Sequence, residues 1–417
     1  MFKDRFLTFL SQRRTGNMLA LLVIAVFLVL TLIRLSPLDN RLQEILSQFG
    51  DDWQEYALYG VDIKHNGLLM PAMKGVFTRP AGFSYCYFLA SIFVIFGENS
   101  VPVYIIQNIM LGLSVALIYW TFRDKMKAIT GLLFLAALFL FALLDVYKYY
   151  SFRFLSENLA LFLVSLFFFC FIKGFEKNKL GLQLISASLI GPLILTRPNT
   201  VLFGLVLILI VMPYYLKKGR PGIMQFLLFV SILALFSSFL GIRNYLLCRR
   251  WLFLPAQGAS LLDFIKLFHP IPASVDLSKI TANFLYAKLH ISSDIIAYIE
   301  YMRQEPLLFF SHYLKKILFS FGFMPIIDYH YRFRPHWMLM WIGYFTYLFF
   351  RIRSREKLKM WETAVHLYIF CYYSTLIISA PIDNYGFRML VPGTNFVLLF
   401  SFLLWDRLQQ KGWSHSF

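Results

Sequence analysis

Three carboxylates stand within five residues in Asp51-Asp52-Trp53-Gln54-Glu55, and a phenol follows at Tyr56. Asp52 and Tyr56 are four residues apart, so on a helix they share one face. A carboxylate and a hydroxyl could then address one ligand, with Asp52 as general base on an acceptor hydroxyl. The same residues also suit a helix start, with Asp51 or Asp52 as cap and Glu55 near the capping-box position. The two roles are compatible. Further on, Arg79 precedes Pro80. Its planar guanidinium can meet two phosphate oxygens at once or snorkel to lipid headgroups; Lys74 is a weaker candidate. Arg197, Arg243 and Arg388 each lie at the end of an apolar run. Singly each suits a headgroup anchor; together with Arg79 they could form a cationic bowl that offsets charge on a departing phosphate. A second polar stretch crowds Asp145, Lys148, Tyr149, Arg153 and Glu157. Glu157 opens an apolar run, where a helix N-terminus favours an anion. Metal ligation or acceptor binding is the functional alternative there.

The elements that must hold these residues are apolar. The chain has 417 residues, of which 59% are hydrophobic and 15% charged. Soluble domains average about 25% charged residues, so this is an integral membrane protein. Several charge-free runs reach the roughly 20 residues that cross hydrocarbon. The net charge of +18 does not point to nucleic acid, because the basic residues gather in short links between spans. There they set topology and meet anionic headgroups. Cys86, Cys170, Cys248 and Cys371 are scattered without a CxxC pair and read as small buried hydrophobes. His269, Asp276, His290 and Asp294 show no zinc-site spacing.

Charge then fixes an expected path. Met18–Ile33 is the first span, a signal anchor preceded by Lys3, Arg5, Arg13 and Arg14, which places the N-terminus in the cytoplasm. Tyr85–Phe96 is too short to cross and suits an interfacial helix. Were it to cross, the link Arg123-Asp124-Lys125-Met126-Lys127 would lie outside; lying flat, it leaves that link cytoplasmic. The remaining spans are Val101–Phe122, Ala128–Leu144, Leu155–Phe171, Leu180–Leu195, Val201–Tyr215, Phe226–Ile242, Trp337–Phe350, Thr363–Ala380 and Met389–Trp405. Leu307–Phe323 is apolar but interrupted by Lys315-Lys316, and reads as a second interfacial helix. The expectation is an all-α polytopic protein of about ten spans, one membrane domain over residues 1–417. It has a first outer loop at 36–100 and a long outer loop at 243–334.

Charges are nearly absent from span interiors. An ion-coupled transporter would bury carboxylates or histidines at mid-membrane, whereas here only Glu157 and His366 enter spans, each near an end. A lipid-linked glycan flippase or other transporter is the alternative function, but it needs a polar path that these spans do not offer.

The pattern resembles the GT-C superfamily of polyprenyl-phosphate-sugar-dependent glycosyltransferases. It is most similar there to the protein O-mannosyltransferase group and the bacterial aminoarabinose transferase group that modifies lipid A. The residues that carry the resemblance are Asp52-Trp53-Gln54-Glu55-Tyr56, the run Arg79-Pro80-Ala81-Gly82-Phe83-Ser84-Tyr85, and Arg153-Phe154-Leu155-Ser156-Glu157-Asn158. Leu195-Thr196-Arg197-Pro198 and Arg243-Asn244-Tyr245 complete it. It covers residues 18 to 260 well and the remainder loosely.

What the resemblance implies is an inverting transfer of a sugar from a polyprenyl phosphate, such as undecaprenyl phosphate, to an acceptor hydroxyl. Asp52 would be the base, with Asp51 and Glu157 beside it. Arg79, Tyr56, Arg197, Arg243, Arg388 and Lys148 would serve the donor phosphate, and Asp145 and Arg153 the acceptor side. Related proteins more often show Asp where this chain has Glu157. Thr78 stands where some carry a metal-binding Glu, which leaves a divalent metal an open question. The expected partners are the polyprenyl-phosphate-linked donor, a lipid or glycan acceptor and membrane lipids, with no nucleic acid. The expected setting is a bacterial inner membrane, with both termini cytoplasmic and the reaction on the periplasmic side.

Overall fold

A computed structural model of the chain describes residues 13–35, 42–47, 52–69, 82–147, 152–249, 335–379 and 384–410, with Trp251 and isolated positions between 303 and 321. The elements among them are helices. α1 is Arg13–Leu35, α2 Leu42–Ser47, α3 Asp52–Asn66, α4 Phe83–Phe96 and α5 Ser100–Phe122. α6, Ala128–Phe141, continues as a π-turn over Ala142–Tyr147. Then come α7 Glu157–Glu176, α8 Leu180–Thr196, α9 Val201–Leu216, α10 Arg220–Cys248, α11 Pro335–Arg353, α12 Met360–Ser379 and α13 Asn384–Gln410. The described residues form an all-α polytopic bundle, and six of the helices are long and apolar enough to cross a membrane.

Side-chain contacts sort the helix ends into two faces. At one face Arg123 pairs with Asn17, Lys125 with Glu176, and Lys173 with Asp124 at 3.1 Å. Lys218 donates to Asn178 at 2.6 Å, and Arg351 meets Glu362 at 2.7 Å. Asp406 on α13 accepts from the Lys127 amide at 2.6 Å and from the Thr130 hydroxyl, closing the N-terminus of α6. All the basic links therefore share this face. At the other, the Arg34 guanidinium lies 4.3 Å from the Phe152 ring centre, and Asp145 accepts from Trp337 Nε1 at 3.3 Å. Thr375 donates to the Asn199 carbonyl at 2.8 Å, and Arg243 Nε to the Leu69 carbonyl at 3.1 Å. α1 and α5 to α13 run from one face to the other.

α4 does not. Its first turn is held at Gly82, whose amide donates to the Thr196 carbonyl at 3.2 Å on the second face. Its far end leads through Glu98 to Asn99, which caps α5 by accepting from the Val101 amide at 2.9 Å. Because the far end of α5 lies among the basic links, both ends of α4 sit on the same face. The charge-parity argument for a flat helix thus matches the packing: α4 lies along α3, not across the bundle.

Close helix approaches and aromatic rings fill the interior. A Cβ on Gly191 of α8 would overlap the Phe236 backbone of α10, so that crossing requires a residue without a side chain. Phe168, Phe203, Tyr368 and Phe396 interlock edge-to-face and tilted between α7, α9, α12 and α13. Outward-facing Leu21, Leu22 and Ile33 on α1, and Leu205, Leu209, Leu227 and Leu235 on α9 and α10, remain exposed as a lipid-facing shell. Cys86, Cys170 and Cys371 are buried and free.

The boundaries differ from expectation in one place that matters. α10 continues beyond Ile242 to Cys248, because no proline or glycine interrupts it until Pro255. It closes where Arg249, with left-handed φ of 55°, donates its amide to the Tyr245 carbonyl at 2.9 Å. Arg243 and Asn244 therefore sit inside a helix, not in a loop. Of the expected second interfacial helix at 307–323, only isolated positions are described; Phe321 among them packs 4.7 Å from Trp341 of α11.

Candidate active site

The turn Thr196-Arg197-Pro198 is dictated locally. The proline ring disfavours helical backbone at the residue before it, and Arg197 accordingly adopts φ −139°, ψ 92°, which ends α8. Pro198 then starts a short 3-10 turn. Thr200 locks it by donating both its amide, at 3.0 Å, and its hydroxyl, at 2.8 Å, to the Arg197 carbonyl. The guanidinium reaches the start of α7, where Nη2 lies 2.6 Å from Glu157 Oε1. Both side chains are almost completely buried, at 4% and 1% exposure. Each sits at the helix end that suits its charge: the carboxylate at an N-terminus, the guanidinium just past a C-terminus. Arg197 is also within electrostatic range of Tyr368 and Tyr372 on α12.

Around this pair lies a polar chain. The Tyr85 hydroxyl of α4 donates to Gln107 Oε1 of α5 at 2.5 Å, and Gln107 Nε2 donates to the Arg153 carbonyl at 3.1 Å. Asn158, beside Glu157, donates to the Gln107 carbonyl at 3.5 Å. Burial pushes the Tyr85 phenol well above its ordinary range, and the Glu157 charge adds to the effect.

α3 covers this cluster. Tyr56 packs edge-on to Tyr85 with ring centres 5.4 Å apart. Its ring also lies against Gly82, where φ is 87° and a Cβ would overlap the phenol. Only glycine meets both demands, the left-handed backbone and the close ring. Gln54 fastens α3 to α2 by donating to the Leu46 carbonyl at 3.0 Å. On the far side of α4, Arg243 is fully buried, with Nη1 donating to Asn244 Oδ1 at 2.9 Å.

The expected site residues are thus distributed as follows. Tyr56, Glu157 and Arg197 converge around Gly82 and Tyr85, and the Arg153 backbone joins them through Gln107. Arg243 holds Leu69 at one flank of the segment 70–81, while Thr196, the neighbour of Arg197, holds Gly82 at the other. Arg79 and Thr78 belong to that segment and lie outside the described residues, as do Asp51 and Lys148. Asp52 is the first residue of α3 and Arg388 lies in α13; their backbones are described, their side chains are not. Asp145 is engaged elsewhere: it accepts from Trp337 and faces His336 Nε2 at 3.0 Å, tying α6 to α11. Sequence reasoning passed over Gln107. A glutamine and an asparagine side by side in an apolar span were the available signal.

Among the described residues no group of three or more His, Cys, Asp or Glu is assembled that could hold a metal ion. The Glu157 carboxylate, the acidic member of this cluster, faces a guanidinium and not an open coordination site.

Residues 80–242 match the family model for dolichyl-phosphate-mannose-protein mannosyltransferase, a domain of the GT-C superfamily. The matched segment runs from the approach to α4 through most of α10. It includes Glu157 and Arg197 but neither Asp52 nor Arg243. No curated protein and no solved structure matches the chain. The match covers less than half of the chain; with the multi-span helical architecture it supports a membrane glycosyltransferase.

Proposed function

We propose that the chain transfers a sugar from a polyprenyl phosphate to an acceptor hydroxyl with inversion, at the face where α3 and α4 cover the Glu157–Arg197 pair. The observation that carries this reading is the buried pair itself. A desolvated carboxylate and guanidinium sit beneath a helix that begins with Asp52, on the face opposite the basic links. Buried charges among the described residues, namely Asp145, Glu157, Arg197, Arg243, Arg351, Glu362 and Asp406, all lie at helix ends near one face or the other. That distribution favours chemistry at an interface over passage of a polar substrate through the bundle.

The donor needs little activation, because a phosphate is already a good leaving group. The acceptor hydroxyl gives its proton to Asp52 as its oxygen bonds to C1 of the sugar. The C1–O bond to the phosphate breaks in line, and the bonding pair leaves with polyprenyl phosphate. Arg197 and Arg243, with Arg79 and Arg388, offset the charge on that phosphate. Tyr56 and Lys148 position it, Glu157 holds the Arg197 guanidinium in place, and Arg153 borders the acceptor side. The aliphatic tail lies in the lipid along the exposed faces of the bundle. The positive-inside rule puts the basic face in the cytoplasm and the reaction outside.

The test is transfer from a labelled polyprenyl-phosphate sugar by the full chain in liposomes, wild type against Asp52→Asn. Loss of a general base lowers the rate by about 10²- to 10⁴-fold. Undiminished transfer by the variant removes Asp52 from this role.

A further inference from the structure

A cavity of about 250 Å³ opens beside α3, lined by Arg34, Glu44, Trp53, Tyr104, Phe152 and Arg153. It is smaller than the roughly 300–1,000 Å³ of sites for drug-sized ligands, and so suits a single ring. Its chemistry is mixed in a particular way. Trp53, Tyr104 and Phe152 present aromatic surface, which suits the C–H faces of a ring. Arg34 and Arg153 bring guanidinium groups from two separate elements, against one carboxylate at Glu44.

The lining is held before any ligand arrives. Arg34 rests on the Phe152 ring, 4.3 Å from its centre, and Phe152 in turn lies 5.7 Å from Tyr104 and 5.4 Å from Tyr147. The Arg153 backbone is held by Gln107, and the α2–α3 corner carrying Trp53 is held by the Gln54–Leu46 bond. Tyr104 is almost fully buried, whereas Arg34, Glu44 and Arg153 are exposed at the mouth.

We propose that this cavity is the acceptor subsite, and that it takes a hexose ring bearing an anionic substituent, a carboxylate or a phosphate. Aromatic faces cover the ring, and the two guanidiniums pair the anion. Trp53 is bonded in sequence to Asp52, so a ring seated here brings its hydroxyls to the start of α3. The donor phosphate belongs on the other side of Tyr56, toward Arg197. The assignment rests on the glycosyltransferase reading above.

Ligand binding to the full chain in detergent tests it, with glucuronate, glucose 6-phosphate, methyl glucoside, inorganic phosphate and glycerol phosphate as probes. The two anionic hexoses bind about ten-fold more tightly than the neutral glucoside or inorganic phosphate, and R34Q/R153Q abolishes that preference. The double variant still binds the polyprenyl-phosphate donor, which shows that it is folded. Glu44→Gln, which removes the opposing charge, strengthens binding of the anionic hexoses about two- to three-fold and leaves the neutral one unchanged. Equal binding by wild type and R34Q/R153Q overturns the assignment. So does competition by inorganic phosphate or glycerol phosphate as strong as that of glucose 6-phosphate, which would mark a simple anion or headgroup site. Failure of the transferase reading looks different: selective hexose binding intact, with no transfer from any donor.

Discussion

The Glu157–Arg197 pair separates two kinds of contribution that a single substitution confounds. Removing one partner of a buried pair leaves the other charge desolvated, at a cost of about 3–5 kcal/mol. Arg197→Gln and Glu157→Gln should therefore each lower the melting temperature markedly. The double variant E157Q/R197Q keeps size and polarity and discards both charges, so it regains most of the stability. Transfer does not return with it, because the phosphate has lost a compensating cation. Melting curves and donor turnover on the same three variants measure the two effects apart. Activity in the double variant equal to wild type would make the pair a scaffold only.

The α3–α4 hairpin, which does not cross the bundle, is fastened at its outer end by Glu98. Its carboxylate accepts from Lys64 Nζ at 2.8 Å and faces His65 Nε2 at 2.6 Å, and these partners hold its carboxyl below the usual range, Lys64 foremost. The sign follows from linkage. A carboxyl whose folded-state pKa is depressed contributes stability that is complete above its unfolded value, near 4.3, and fades as pH falls through the folded value. Glu98→Gln is thus less stable than wild type at pH 7 by about 0.2–1 kcal/mol, as befits a partly exposed pair. The gap should close as the pH drops below 4, and high salt should narrow it at pH 7. Thermal unfolding at three pH values reads this directly; a gap independent of pH would mean that Glu98 acts through packing alone.

For the whole molecule the decisive quantity is sidedness. The two faces differ in composition: one gathers Arg123, Lys125, Lys173, Lys218, Arg351 and Arg407 with their carboxylate and amide partners, and the other holds α2, α3, α4 and the candidate site. Cysteine labelling in intact cells, with Cys248 replaced by serine, checks which is which, and Cys86, Cys170 and Cys371 are buried enough to contribute little background. A membrane-impermeant maleimide should label Asn99→Cys and spare Asn178→Cys. Labelling of Asn178→Cys alone would invert the protein and put Asp52 in the cytosol, where the proposed reaction fails.

That the chain folds as a bundle of apolar helices, and that α4 is shorter than a span, was legible in the sequence, because hydrocarbon thickness leaves a linear record in the length of apolar runs. The break at Arg197 was equally legible, since Pro198 enforces it. Sequence also proposed Glu157, Arg197 and Arg243 from their places at the ends of apolar runs, and Tyr56 from its spacing to Asp52. That Glu157 meets Arg197, that Arg243 turns inward to grip Leu69, and that Asp145 is taken up by α11 could not be read from the chain order. Each joins residues far apart in sequence, and each depends on which helices become neighbours. Those neighbours are chosen by side-chain volume, as at Gly191 against Phe236 and Gly82 against Tyr56. Hydropathy records that a helix is buried in the membrane; only packing decides against what.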